Sequence, residues 1–242
     1  MAFIEHEFNL TIRDIDKNTN ITNKAILSFF EDMGGLHSDL AGYGLKQIEQ
    51  TRISWILLHW KVKVLKRIKY GESVKVKTWS RGMKLACCFR DFELYNSDGE
   101  LCVVGTSKWT LFHIDKGLIR LTSDILEKYS NEDKCALDFE LKKLKEPDNY
   151  LNIYEYTVSR SDIDINHHMH NLRYLDLAYE AIPEEVYQST INNNFDNIEI
   201  MYKKECYLGD KLKCFYSNVN NEHIVTIKSY DEKTLHAIVK LS

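Results

Sequence analysis

A short pattern occurs twice in this 242-residue chain: Asp14-Ile15-Asp16-Lys17-Asn18, with Asn23 beyond it, returns as Asp162-Ile163-Asp164-Ile165-Asn166, with Asn171 beyond it. What surrounds each copy also repeats, as a strand before it, a helix after it and four strands after the helix. A chain built this way folds as two related halves, each wrapping a curved sheet around its own helix. The copies differ at one chemically important place, because Asn20 stands where the second copy has His168. The asymmetry points to chemistry kept in the second half.

In the first half, residues 3–12 have strand character and Asn18-Thr19-Asn20-Ile21-Thr22 is rich in helix-capping residues. Ile26, Phe29, Phe30, Met33, Leu36 and Leu40 recur at helical spacing and predict one apolar face, with Gly42 and Gly44 as the stop and Gly34-Gly35 as a weak point. From Ser54 to Leu65 the period changes to two, predicting Ile56, Leu58, Trp60, Val62 and Val64 on one side and His59, Lys61 and Lys63 on the other. Gly71, Gly82 and Asp98-Gly99 separate further strands near 73–80, 84–95 and 101–113. A charged connector covers about 127–149. The second half then reads as a strand with Tyr154, Tyr156 and Val158, a helix with Met169, Leu172, Leu175, Tyr179 and Ile182 ended by Pro183, and strands near 197–207, 211–218, 222–230 and 234–241.

Composition narrows the function classes. A 44% apolar content with two prolines describes a chain with enough hydrophobic residues for a core. The net charge of −4 supplies no global field toward nucleic acid or anionic lipid. No run approaches the roughly 18 apolar residues of a membrane span, and the first seven residues lack the basic start and apolar core of a secretory leader, so none is expected. Six cysteines without a CxxC pair suit a reducing compartment, so the expectation is a cytoplasmic protein.

Asp164, Asn166 and His168 alternate, so in an extended chain they share one direction, and a helix start close behind would offer free N–H groups to a carbonyl oxygen. Asp and Asn are equally the preferred caps of a helix, so stability alone could explain them, whereas histidine is suited to proton transfer near neutrality. His167, His168 and His170 lack the spacing that aims two rings at one ion, and no metal or cofactor is expected. In Ile198-Glu199-Ile200-Met201-Tyr202-Lys203-Lys204-Glu205-Cys206, alternation turns Glu205 and Cys206 opposite ways. A glutamate base and a cysteine nucleophile are therefore rival proposals, and Cys206 could equally be a packed core residue.

On these residues the chain resembles the acyl-acyl carrier protein thioesterases, nearly end to end. The family's Asp-x-Asn-x-His, followed by Asn and Tyr, stands here as Asp164, Asn166, His168, Asn171 and Tyr174, and its Tyr-Arg-Arg-Glu-Cys as Tyr202-Lys203-Lys204-Glu205-Cys206. Thr106-Ser107-Lys108-Trp109 and Gly34-Gly35-Leu36-His37 look like first-half counterparts, whereas His170 and the two lysines depart from the usual pattern. The resemblance implies an α+β tandem double hotdog, each half a long helix wrapped by a curved antiparallel sheet. It implies an acyl-chain-binding domain at 1–128, a linker at 129–150 and a catalytic domain at 151–242. It implies hydrolysis of fatty acyl-carrier thioesters by a bacterial member, with an acyl-coenzyme A thioesterase or a non-catalytic acyl-binding module as alternatives.

By the same resemblance Asp164, Asn166, His168 and Glu205 form the catalytic network, with Cys206 the alternative nucleophile in a triad with His168 and Asn166. Phe29, Phe30, Met33, Trp60 and Trp109 are candidates to line the acyl chain, although large aromatics at such spacing more often form core. The implied partner is an acyl carrier protein, with no nucleic acid and no membrane span, and the chain a monomer or homodimer. Because such carriers are acidic, Lys61, Lys63, Lys66, Arg67 and Lys69, or Lys203 and Lys204, are candidate docking residues.

Overall fold

The computed structural model describes residues 3–84, 86–120, 122–129, 132, 134–137, 141–190 and 195–242. The chain divides into two compact units, Met1–Leu141 and Lys142–Ser242. In the first, β1 (Phe3–Asn9) precedes helix α1 (Asn23–Ala41) and a single turn α2 (Ile48–Thr51). Strands β2 (Ile53–Val64), β3 (Ser73–Lys84), β4 (Cys87–Tyr95), β5 (Leu101–His113) and β6 (Gly117–Ile119) follow, then helix α3 (Ser123–Tyr129). All strand pairs are antiparallel, in the order β1-β3-β4-β5-β2, with β6 also on β5.

The second unit repeats this plan with β7 (Asn152–Thr157), α4 (Arg173–Ala181), α5 (Glu184–Thr190), β8 (Asn197–Tyr202), β9 (Lys211–Val219), β10 (Glu222–Ser229) and β11 (Leu235–Leu241). Its order, β7-β9-β10-β11-β8, matches strand for strand that of the first unit. The duplication in the sequence is thus a duplication of topology, and the fold is the α+β hotdog in both units.

Helix α1 starts where the Thr22 side chain accepts the Ala25 N–H at 3.1 Å and stops at Gly42, whose φ of 84° suits glycine. It runs unbroken through Gly34-Gly35 and buries Ile26, Phe29, Phe30 and Met33. Leu36 and Leu40, expected on that face, are exposed. The buried stripe instead turns through Gly34, His37, Ser38 and Ala41, because this end of the helix packs on Tyr129 of α3 and Arg90 of β4. Arg90 is buried, donates to His37 Nδ1 at 2.8 Å and lies over the Tyr129 ring, and burial lowers its pKa to about 10.

Phe30 stacks on Phe92 with ring centroids 4.6 Å apart, and Trp60 closes on Phe92 at 5.2 Å. This packing depends on Gly105 of β5, where a Cβ would stand 2.7 Å from Phe30 Cε2. The alternation expected along β2 fails at its centre. Leu57 pairs with Trp109 and His59 with Lys108, so Leu58 is an extra, bulged residue. The bulge resets the faces, so Leu57 and His59 are buried while Ile56 is exposed, and the expected inward pattern holds only from Trp60 to Val64.

The second helix is shorter than expected. Met169 lies in an isolated bridge to Ile163, and α4 begins only at Arg173 and ends before Pro183.

Candidate active site

The segment 162–170 is a tight loop whose geometry comes from its own aspartates. Ser159 N–H, Ser159 Oγ and Tyr156 OH donate to Asp162 Oδ2 at 2.7, 2.9 and 2.7 Å, and Arg173 Nε lies 2.8 Å from Oδ1. Burial alone would raise the Asp162 pKa, but the Ser159 and Tyr156 hydrogen bonds and the Arg173 charge outweigh it and leave the carboxyl below its ordinary value. Asp164 Oδ1 accepts the backbone N–H groups of Asn166 at 2.8 Å and His168 at 3.4 Å, while the Asp164 N–H donates to the His168 carbonyl at 2.9 Å. His167, at φ 63°, completes the turn. The same loop occurs in the first unit, where Asp16 Oδ1 accepts from Asn18 at 2.8 Å and Asn20 at 3.0 Å, and Thr19 has φ 61°.

These bonds correct the expectation of an extended Asp164-Asn166-His168 face. The chain reverses between Asp164 and His168, Asn166 is exposed, and the Asp164 carboxylate is turned onto its own loop's backbone. The expected helix-end anion site is corrected too. Four residues separate His168 from α4, His170 Nδ1 accepts the Leu172 N–H at 3.2 Å, and the Arg173 and Tyr174 N–H groups donate to the His170 and Asn171 carbonyls. Neither aspartate caps α4, since its cap position is Leu172. Among the described residues no cluster of three or more His, Cys, Asp or Glu side chains is arranged to hold a metal ion.

The loop is fastened to the segment after β8 by the Met169 N–H donating to the Cys206 carbonyl at 2.8 Å. The first unit has the same fastening, Ile21 N–H to Ile68 carbonyl at 2.8 Å, so Cys206 occupies the place of Ile68. β8 ends at Tyr202, short of the expected strand, and residues 203–207 run on without strand pairing. Glu205 and Cys206 still face opposite ways, Glu205 outward and Cys206 fully buried.

Glu205 Oε1 accepts the Tyr207 hydroxyl at 3.0 Å, and the Tyr207 ring meets the half-buried His168 ring edge to face, with centroids 5.0 Å apart. Its own backbone N–H most of all, then the Tyr207 hydroxyl and nearby His168 and Lys204, hold the Glu205 carboxyl below the ordinary glutamate value, against a desolvation effect second only to the backbone bond. Cys206 is in a different environment. Tyr174 OH donates to its Sγ at 3.3 Å, and burial pushes its thiol up to about 12.

Tyr207 was missed in the sequence, although period two already put it on the side of Glu205. Of the proposed chain-lining residues, Phe30, Met33 and Trp60 are wholly buried, Phe29 is nearly so, and Trp109 is half-buried, its Nε1 donating to Ser107 Oγ at 2.6 Å. Among the proposed docking cations, Lys66 pairs with Glu100 at 2.5 Å and Arg67 Nη1 donates to Asn23 Oδ1 at 2.6 Å.

A pair of hotdog units with an imidazole, a phenol and a carboxylate gathered where the 162–170 loop of the second meets the segment after β8 defines a hotdog protein with a candidate hydrolytic centre. Residues 2–129 match the acyl-ACP thioesterase N-terminal domain and residues 145–239 the acyl-ACP thioesterase C-terminal domain, and the chain belongs to that family. It is 23% identical over 225 residues to oleoyl-acyl carrier protein thioesterase 1, chloroplastic, of Arabidopsis thaliana, covering 85% of this chain and 61% of that protein. The chain thus spans about three fifths of the length of that relative. Among solved structures, an acyl-ACP thioesterase from Bacteroides thetaiotaomicron superposes with a TM-score of 0.86 at 22% identity, over 99% of this chain and 97% of the other. The 12:0-ACP thioesterase of Umbellularia californica gives 0.86 at 17% identity, over 100% of this chain and 97% of the other. At these identities the likeness is one of fold.

Proposed function

We propose that this chain hydrolyses the thioester of fatty acyl-acyl carrier protein, releasing a free fatty acid and the carrier's phosphopantetheine thiol. The observation that carries the reading is the contrast between two loops of one backbone geometry. The second unit has His168, Glu205 and Tyr207 where the first has Asn20, Arg67 and Lys69. Relatives named as oleoyl-acyl carrier protein thioesterase and dodecanoyl-[acyl-carrier-protein] hydrolase support this substrate class.

In the proposed reaction Glu205, ionised at neutral pH, takes a proton from the attacking water, whose oxygen adds to the thioester carbonyl carbon. Asn166, exposed on the loop, offers its amide to the developing oxyanion. Collapse breaks the C–S bond, and the proton taken up by Glu205 passes through His168 to the departing sulfur, leaving both side chains as they began. Burial of Cys206 pushes its thiol up to about 12 even though the Tyr174 hydroxyl donating to Sγ pulls the other way, and this favours the carboxylate scheme over a cysteine nucleophile. Asp164 serves by holding the loop.

The acidic carrier would be met by exposed Lys203 and Lys204 beside Glu205. Six free cysteines fit a cytoplasmic setting, and among the described residues no helix is long and apolar enough to cross a membrane.

The test offers purified protein matched acyl-carrier and acyl-coenzyme A thioesters of several chain lengths and measures fatty acid released. The expected result is turnover highest on the carrier-linked series and lowered about 100-fold or more in His168→Ala. Preference for coenzyme A would replace the substrate, and binding without release would replace the enzyme by an acyl-binding module.

A further inference from the structure

The two loops share a scaffold that needs no tyrosine. In the second unit the Tyr207 N–H donates to Asp210 Oδ2 at 2.8 Å, the Asp210 N–H to the Tyr207 carbonyl at 3.0 Å, and Gly209 has φ 86°. In the first, the Lys69 N–H donates to Glu72 Oε1 at 3.0 Å, the Glu72 N–H to the Lys69 carbonyl at 3.3 Å, and Gly71 has φ 92°. Lys69 makes the turn as well as Tyr207 does, so backbone geometry does not demand an aromatic phenol there. Core packing does not demand it either, because Tyr207 is 45% exposed.

Its side chain nevertheless makes two directed contacts, and both go to the candidate reacting groups. The hydroxyl donates to Glu205 Oε1 at 3.0 Å, and the ring meets the His168 ring at an interplanar angle of 87°. An exposed glutamate would otherwise sample several rotamers, and an imidazole at the end of a loop could turn about its χ2. One residue restricts both.

We propose that Tyr207 is a positioning residue for thioester hydrolysis, its hydroxyl orienting the Glu205 carboxylate and its ring fixing the plane of His168. This rests on the hydrolase reading above. Tyr207 touches no reacting atom of the substrate and acts through the two groups that do. Because its hydroxyl donates to the charged form of Glu205, it favours that form, and its removal raises the carboxyl's pKa. In the reaction as written Glu205 must be ionised, so kcat/KM falls as the pH drops through that pKa. Tyr207→Phe therefore moves the acid limb to higher pH.

The decisive comparison is wild type, Tyr207→Phe and Tyr207→Leu, each followed as kcat/KM against pH and by titration of the 13C-labelled Glu205 carboxyl, assigned through Glu205→Gln. Tyr207→Phe keeps the ring and loses the hydroxyl. It is expected to raise both the Glu205 titration and the acid limb, with kcat lowered roughly tenfold at neutral pH and KM within about twofold. Tyr207→Leu loses the ring as well and is expected to fall roughly tenfold further. Thermal midpoints should be unchanged, which separates positioning from folding. A Glu205 titration that stays at its wild-type position in Tyr207→Phe overturns the proposal, and the carboxyl signal reads this without turnover. A wild type inert toward every thioester would instead bring down the hydrolase reading itself.

Discussion

At the scale of single residues, Glu205 and Cys206 are chain neighbours with opposite chemistry. Glu205 is exposed, accepts the Tyr207 hydroxyl and has its carboxyl held below the ordinary range. Cys206 is sealed under the loop, its thiol pushed up to about 12 and bonded to Tyr174. A thiolate nucleophile would need that proton removed in a place burial makes hostile to charge. Cys206→Ala is therefore expected to keep turnover within about tenfold while losing about 1–2 kcal/mol of stability, because it opens a small gap and strips Tyr174 OH of its acceptor. His168→Ala is expected to lose about 100-fold or more, in keeping with a general acid–base group, with little change in stability. Steady-state kinetics with denaturant melts on both variants checks this. A folded Cys206→Ala as inactive as His168→Ala would return the cysteine triad.

At the scale of elements, the loop recurs with one hydrogen-bond pattern and two fates. Asp16 and Asp164 each gather two backbone N–H groups into a turn, and each turn is fastened to the strand-leaving segment by the matching main-chain bond from Ile21 or Met169, to which the first unit adds the Tyr70 N–H donating to the Thr19 carbonyl at 2.8 Å. Losing the two side-chain-to-backbone hydrogen bonds of such a turn costs about 1–2 kcal/mol, so Asp16→Ala and Asp164→Ala should lower stability alike. Only Asp164→Ala should also lower turnover, since only its loop carries a histidine, and Asp164→Asn should recover most of both because an amide oxygen still accepts. Melts and turnover of the three variants test this, and an Asp164→Asn protein that is stable but inactive would show that the charge itself is needed. The same loop marks where sequence reasoning works and where it stops. The repeat was legible because Asp-Ile-Asp occupies matching places, and the order of elements along the chain followed from the repeated pattern of strand, helix and four strands, whereas the pairing of β2 with β5 did not. The turn was not, because Asp-x-Asn-x-His alternates like a strand while the aspartate oxygen folds it into a reversal. Leu58 was equally opaque, since a bulge leaves the apolar count intact and changes only which face each residue meets. Of the candidate site, His168 and Glu205 could be picked out from residue type, whereas the Tyr207 bridge depends on side-chain directions in a segment that is not a strand.

At the scale of the whole molecule, the proposed function asks a chain of net charge −4 to attract a carrier that is itself acidic, so long-range electrostatics would work against encounter unless local charge reverses them. Internal pairing thins the local supply. Lys66 is held by Glu100 and Arg67 by Asn23, whereas Lys203 and Lys204 are exposed within two residues of Glu205. Attraction between exposed charges is screened over about 10 Å at 0.1 M salt and about 3 Å at 1 M. Raising salt from about 0.05 to about 0.5 M should therefore raise KM for the carrier-linked thioester several-fold and leave kcat nearly unchanged, because the chemical step uses groups already in contact. A neutral acyl-pantetheine thioester should show almost no response. Replacing both Lys203 and Lys204 by Glu should reproduce the high-salt KM at low salt and flatten the remaining salt dependence. These lysines also sit beside the carboxylate, so the acyl-pantetheine rate of the double variant is the control that separates docking from a disturbed Glu205. If carrier-linked and neutral substrates respond equally to salt, charge steering has no part in substrate capture, and recognition must lie in the acyl chain and the pantetheine arm.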